Sequence, residues 1–121
     1  VLPKRLKLSS PTQFSRVMRK GRKAGSRTVV VHVYDRSAES SPLPANVGGP
    51  RFGLIVSKAV GNAVARHALS RRLRHVAAAM ADELPSSYEI VLRALPAAAT
   101  ATSHQLAYDI AKALKRIERR G

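Results

Sequence analysis

The chain has 121 residues, 45% of them hydrophobic, and a formal net charge of +15 with a pI near 11.6. That length supports one domain with one core, and so high a charge implies a polyanionic partner, nucleic acid being the first expectation. Zero cysteines exclude a disulfide framework, a thiolate metal site and a cysteine nucleophile.

No apolar run approaches the ~20 residues of a membrane span. Surface attachment to a bilayer wants an amphipathic helix with bulky anchors beside its charges, and the chain offers two Phe, three Tyr and no Trp. Its start is basic with no apolar block behind it, so no secretory leader is expected. A cytoplasmic protein without a membrane partner is the expectation. The charge is also unevenly placed: residues 1 to 34 hold nine Lys or Arg and no acid.

In chain order, residues 1 to 10 form a basic lead-in. Ser10-Pro11-Thr12-Gln13 then predicts a helix start, with Ser at the N-cap, Pro at N1 and Gln at N3 completing a capping box. The helix runs to about Lys20, with Gly21 at the C′ position. Phe14, Val17 and Met18 share one side, and Val17 reads as core. Arg22 to Arg27 is a basic loop. Thr28 to Tyr34 is a strand rich in β-branched residues, with Val29, Val31 and Val33 on its core face and Val30 and His32 on a mixed face. Residues 36 to 50 form a long loop of low complexity, expected to be flexible, to which no function is assigned.

Phe52 to Ser57 is an apolar run of strand length. After Gly61-Asn62 the spacing turns helical: Leu69, Leu73, Val76, Ala77, Met80 and Leu84 make one apolar stripe. His67, Arg71 and Arg74, spaced i, i+4, i+7, fall together on roughly the opposite side. No acid interrupts the sequence from Ser40 to Ala81, while Arg51, Lys58, Arg66, Arg71, Arg72 and Arg74 lie within it. A solvated helix face normally mixes signs, because like charges at that spacing repel. An arginine face without compensation suits an outside polyanion that supplies the missing charge. Tyr88 to Leu95 is a further strand, with Ile90, Leu92 and Ala94 on one face and Val91 and Leu95 on the other. A last helix capped by Thr102 or Ser103 has Leu106, Ile110, Ala113, Leu114 and Ile117 as its stripe, and Arg116, Arg119 and Arg120 fraying into solvent.

The stretch RFGLIVSKAVGNAVARHALSRRLRH, Arg51 to His75, resembles the signature of the bacterial ribonuclease P protein subunit family. Arg51, Gly53, Leu54, Val56, Ser57, Lys58, Gly61, Asn62, Ala63, Val64, Arg66, Arg71 and Arg74 match that signature as they stand. His67, Ala68 and Ser70 depart from it, and Arg72 adds a charge where an apolar residue is usual. The bare pattern of elements leaves open αβββαβα or an order with one strand fewer. The resemblance favours αβββαβα, an α+β single-domain sandwich, and implies a left-handed βαβ crossover around the basic helix.

The resemblance also implies roles. Lys58, Asn62, Arg66, His67, Arg71, Arg72 and Arg74 would contact the catalytic RNA subunit of ribonuclease P. Phe14, Met18, Val30 and His32 would line a groove for the 5′ leader of precursor tRNA, with Met18 in place of a usual aromatic and His32 offering a flat imidazole face. Mg²⁺ would be the cofactor of the assembled enzyme, held mainly by the RNA. The residues themselves show no active site. The seven acids are scattered, where two-metal nucleases converge several carboxylates, and the four histidines lack metal-ligand spacing. His67 or His75 with Lys58 as an acid–base pair is the remaining catalytic option, and phosphate donors are the simpler reading. The chain therefore reads as the protein component of an RNA-based endonuclease that matures tRNA 5′ ends. The alternative is a structural RNA-binding protein of ribosomal type.

Overall fold

In the computed structural model, residues 2–38 and 49–120 are described. They form three helices and four strands, α1 (Pro11–Lys20), β1 (Arg22–Gly25), β2 (Val29–Asp35), β3 (Arg51–Ile55), α2 (Ala63–Met80), β4 (Tyr88–Ala94) and α3 (Ser103–Arg120). The order is αβββαβα. The strands make one sheet in the order β1-β2-β4-β3. β1/β2 and β2/β4 are antiparallel, whereas β3 and β4 are parallel neighbours joined through α2, a connection that parallel strands require.

Register decides what each face carries. Val29, Val31 and Val33 lie opposite Ala94, Leu92 and Ile90, and Phe52 and Leu54 lie opposite Ile90 and Leu92. These side chains share one face, where they meet Leu69, Leu73, Val76 and Ala77 of α2 and Leu106, Ile110, Ala113, Leu114 and Ile117 of α3 in the main core. Both predicted helical stripes are thus the packed ones, except that α2 ends at Met80. Leu84 follows a single 3-10 turn, Ala81–Glu83, and packs from there. The opposite face carries Val30, His32, Tyr34, Glu89, Val91, Arg93, Arg51, Gly53 and Ile55, and α1 lies across part of it. Residues Val17 of α1 and Val91 of β4 are fully buried there.

Local chemistry accounts for the ends of the helices. Ser10 accepts a hydrogen bond from the Gln13 amide at 3.2 Å, but the Gln13 side chain reaches one residue further back than a capping box, to the Ser9 amide at 2.7 Å. Thr102 and Gln105 cap α3 reciprocally, at 3.1 and 2.9 Å. Gly21 ends α1 with φ −74°, so a left-handed C′ residue is not why it is there. A Cβ at Gly21 would sit 2.4 Å from the Val17 carbonyl oxygen and 2.7 Å from that of Val33. Glycine lets the end of α1 touch β2.

Three other expectations change. The basic loop after α1 contains β1, an edge strand that the valine strand recruits by pairing Arg22–Gly25 with Val30–Val33. Arg116 and Arg120 do not fray: they donate to the carbonyls of Gly25 and Lys23 on that edge, which covers groups an edge strand would otherwise leave unpaired. The lead-in is not merely basic, since Leu2 and Leu6 are core residues and the Leu8 amide donates to the Phe52 carbonyl at 3.0 Å along the other edge. Of the loop at 36–50, Arg36–Ala38 forms a 3-10 turn, and the expectation of flexibility falls mainly on residues outside those described.

Candidate nucleic-acid interface

The basic helix starts from a built corner. Ser57 accepts from the Ala59 amide at 3.3 Å, which turns Lys58–Val60 into a 3-10 turn, and Asn62 accepts from the Ala65 amide at 2.9 Å as the N-cap of α2. The Asn62 carbonyl is therefore spent on the helix, and its –NH2 is the part left for a partner. Lys58 stands exposed beside it.

With Leu69 and Leu73 fully buried, the opposite side of α2 points outward. His67 and Arg71 are exposed and Arg74 is half-buried. Ala63, Val64, His67, Ala68 and Arg71 border a shallow depression there, and Val64 is 79% exposed. Among the described residues no ion pair involves an α2 arginine; the pairs found converge on Glu89. Two predicted contacts are placed differently from the row. Arg66 lies at its flank and donates through Nε to the Val56 carbonyl at 3.2 Å. Arg72 turns away from it, and one guanidinium nitrogen holds the Ala99 carbonyl at 3.1 Å. At 100° per residue Arg72 sits about 140° from His67, so it stands apart from the His67–Arg71–Arg74 row and has a structural contact of its own.

The second set of predicted residues gathers on the opposite sheet face. The Phe14 ring lies directly over Gly53, where an added Cβ would come within 2.2 Å of its Cζ. Only a glycine admits the ring, which ties the strand motif to α1. Met18, one turn further, is 39% exposed, and Val30 is half-buried. His32 is only 5% exposed, so its ring face is not open to a base as a flat platform; this corrects the expectation. Its Nε2 is buried without a hydrogen-bond partner. Burial, with the Arg93 and Lys23 charges, holds the His32 imidazole below its ordinary pKa. Cross-strand, His32 faces Lys23 and Val91, and Val30 faces Gly25 and Arg93. Lys23 and Arg93 are thus cations beside the groove that sequence reasoning missed. The signal was available in the alternation of β4, which puts Arg93 on the face of Val91.

Glu89 was also missed. It is fully buried beneath α1, where Arg16 grips it through Nε (3.1 Å) and Nη2 (2.7 and 2.8 Å), and Arg36 Nε lies 3.7 Å away. The Arg16 guanidinium also lies 5.3 Å from the centre of the Tyr34 ring. A buried carboxylate persists only when paired, so the lone acid of a largely apolar strand called for a partner. The partner is 73 residues away.

Two faces therefore carry two different chemistries: an uncompensated cation row on α2, and an apolar groove flanked by cations at α1. The family model for ribonuclease P matches residues 2–118. The chain belongs to the ribonuclease P protein family. The ribonuclease P protein component of Corynebacterium diphtheriae is 52% identical over 120 residues, covering 99% of both chains. That of Nocardia farcinica is 45% identical, covering 97% of this chain and 83% of its own. Among solved structures, the RNase P protein of Staphylococcus aureus superposes with a TM-score of 0.73 at 23% identity, covering 92% of this chain and 94% of that one. The RNase P protein of Thermotoga maritima gives 0.68 at 17%, with 93% and 96% covered. These two likenesses show the shared fold.

Proposed function

We propose that this ribonuclease P family protein serves as the protein component of the holoenzyme, docking the catalytic RNA on α2 and the 5′ leader of precursor tRNA on the α1 side of the sheet. The observation that carries this reading is the separation of the two surfaces. The His67–Arg71–Arg74 row points away from the sheet on one side, and Phe14, Met18 and Val30 gather on the other. One small domain can thereby touch two RNA segments at once. Cations between two polyanions lower their mutual repulsion, and Lys58, His67, Arg71 and Arg74 supply donors to phosphates without sequence preference. Arg66 and the Asn62 –NH2 add lateral contacts. On the groove side, Phe14 and Met18 offer apolar surface to unstacked bases, while Lys23 and Arg93 face the backbone.

Cleavage is assigned to the RNA subunit. Mg²⁺ is kept as a cofactor of the assembled enzyme, held mainly by the RNA; among the described residues no three His, Cys, Asp or Glu side chains come together as ligands. No helix among the described residues is long and apolar enough to cross a membrane, and the proposed working place is the cytoplasm, where precursor tRNA is made in bacteria. The test is cleavage of precursor tRNA by the catalytic RNA at low Mg²⁺, with and without the protein. Stimulated cleavage, together with tighter binding of leader-bearing than of leaderless tRNA, supports the reading, and no stimulation at any Mg²⁺ concentration refutes it. A ribosomal-type protein would bind RNA without that effect.

A further inference from the structure

α3 carries a second cationic row on a surface that the reading above leaves unused. At about 100° per residue, His104, Tyr108, Lys112, Lys115 and Arg119 fall within an arc of about 80°. All five are exposed, Tyr108 at 62%. The two acids of the helix are engaged elsewhere: Asp109 accepts from the buried Thr28 hydroxyl at 2.6 Å, and Glu118 accepts from Tyr88 at 2.9 Å. Arg116 and Arg120 are occupied by the β1 edge. What remains is positive charge without compensation and one accessible ring, with the Lys112 ammonium 5.8 Å from the Tyr108 centroid.

α3 packs beside α2. Both helices pack on the same face of the sheet through the shared core, so their outer faces look the same way, away from α1. Between them runs a groove of about 560 Å³, with His75 and Met80 on its α2 wall and His104 and Ala107 on its α3 wall. Glu83, on the turn after α2, is the one acid that lines this groove. The lining itself holds two histidines and no lysine or arginine; the exposed Lys112, Lys115 and Arg119 of α3 and Arg71, one turn before His75 on α2, supply the positive charge that suits a phosphate backbone.

We infer that the footprint of the catalytic RNA does not stop at α2: its backbone crosses the α2–α3 groove and lies along the exposed row of α3. The inference rests on the reading of α2 as the docking face for that RNA. The leader is bound on the far side of the sheet and does not compete for this surface.

The test uses the full chain carrying Lys112→Gln, Lys115→Gln and Arg119→Gln, assembled with the catalytic RNA over a range of salt, with Arg71→Ala/Arg74→Ala in parallel. Each lost phosphate contact removes about 0.7–0.9 from the slope of log affinity against log salt, so the α3 variant should be shallower by about 2–3 and on the order of a hundredfold weaker near 100 mM salt. Its thermal midpoint and its preference for leader-bearing substrate should match wild type. Because the chain has no cysteine, Ser103→Cys gives a single attachment point for a hydroxyl-radical source, which should cut the catalytic RNA beside the groove. A normal slope for the α3 variant beside a weakened α2 variant overturns the inference and leaves the α2 reading standing. Normal binding by both variants overturns the docking reading itself. Normal assembly with weakened precursor binding also overturns the inference, because it moves the row to the substrate.

Discussion

Glu89→Ala would remove the charge that holds α1 on the sheet. The carboxylate is fully buried and accepts three hydrogen bonds from Arg16, with Arg36 close behind. Charge-assisted bonds are worth about 1.5–3 kcal/mol each when counted alone, but desolvation of a carboxylate consumes several kcal/mol of that sum. The useful magnitude is therefore the cost of breaking the pair, about 3–5 kcal/mol for a buried partner. Arg16 and Arg36 keep 21% and 12% side-chain exposure, so water relieves part of the penalty and the lower end, about 3 kcal/mol, is expected. That is a large share of the roughly 6–18 kcal/mol that a domain of this size holds. It corresponds to a fall of about 10–18 °C in thermal midpoint. Urea denaturation of Glu89→Ala beside Arg16→Met/Glu89→Leu measures it. The double variant replaces both charges with apolar groups of similar bulk and should recover most of the loss. A Glu89→Ala loss below about 1 kcal/mol, or a double variant as unstable as the single one, would refute the account of the clamp.

Arg71→Ala/Arg74→Ala should weaken assembly with the catalytic RNA by on the order of 1.5–3 kcal/mol per lost contact while the urea midpoint stays put, as filter binding and denaturation read together. If the pair unfolds the protein, the outward assignment of this face is wrong. Gly53→Ala places a methyl where the Phe14 ring now lies, so the groove should lose its preference for leader-bearing over leaderless tRNA before assembly is affected; equal affinities to wild type for both substrates would show that Phe14 plays no part. His32 has its folded pKa depressed below the unfolded value near 6.5. The unfolded chain then takes up the proton first, so the stability His32 contributes is complete above about pH 6.5 and is lost as pH falls through the folded pKa. His32→Gln should flatten this part of the stability–pH curve relative to wild type, and parallel curves would contradict the burial argument.

Some of this protein is decided by residues close in sequence, and that part is legible in the chain alone. The stripe Leu69, Leu73, Val76, Ala77 packs because helical periodicity puts it on one side, and the same periodicity turns His67, Arg71 and Arg74 outward. Ser10, Asn62 and Thr102 cap helices through amides only three residues on. The alternation of Thr28 to Tyr34 assigns the valines to the core. What the sequence could not decide are the choices made between distant segments. β1, Arg-Lys-Ala-Gly, has no strand pattern of its own; it is a strand because β2 offers an edge and α3 arginines cover the far side. Glu89 finds Arg16 across 73 residues, and a wheel cannot show that α1 lies over that carboxylate rather than on the valine face. Gly53 is needed by the Phe14 ring, not by its own turn. Arg72 and Arg71 are adjacent cations of equal charge in the sequence, and only the packing of α2 beside the Pro96–Thr100 turn gives one a carbonyl to hold and leaves the other exposed. Periodicity is a property of one segment, whereas pairing and close approach belong to two, so they appear only when the chain has folded.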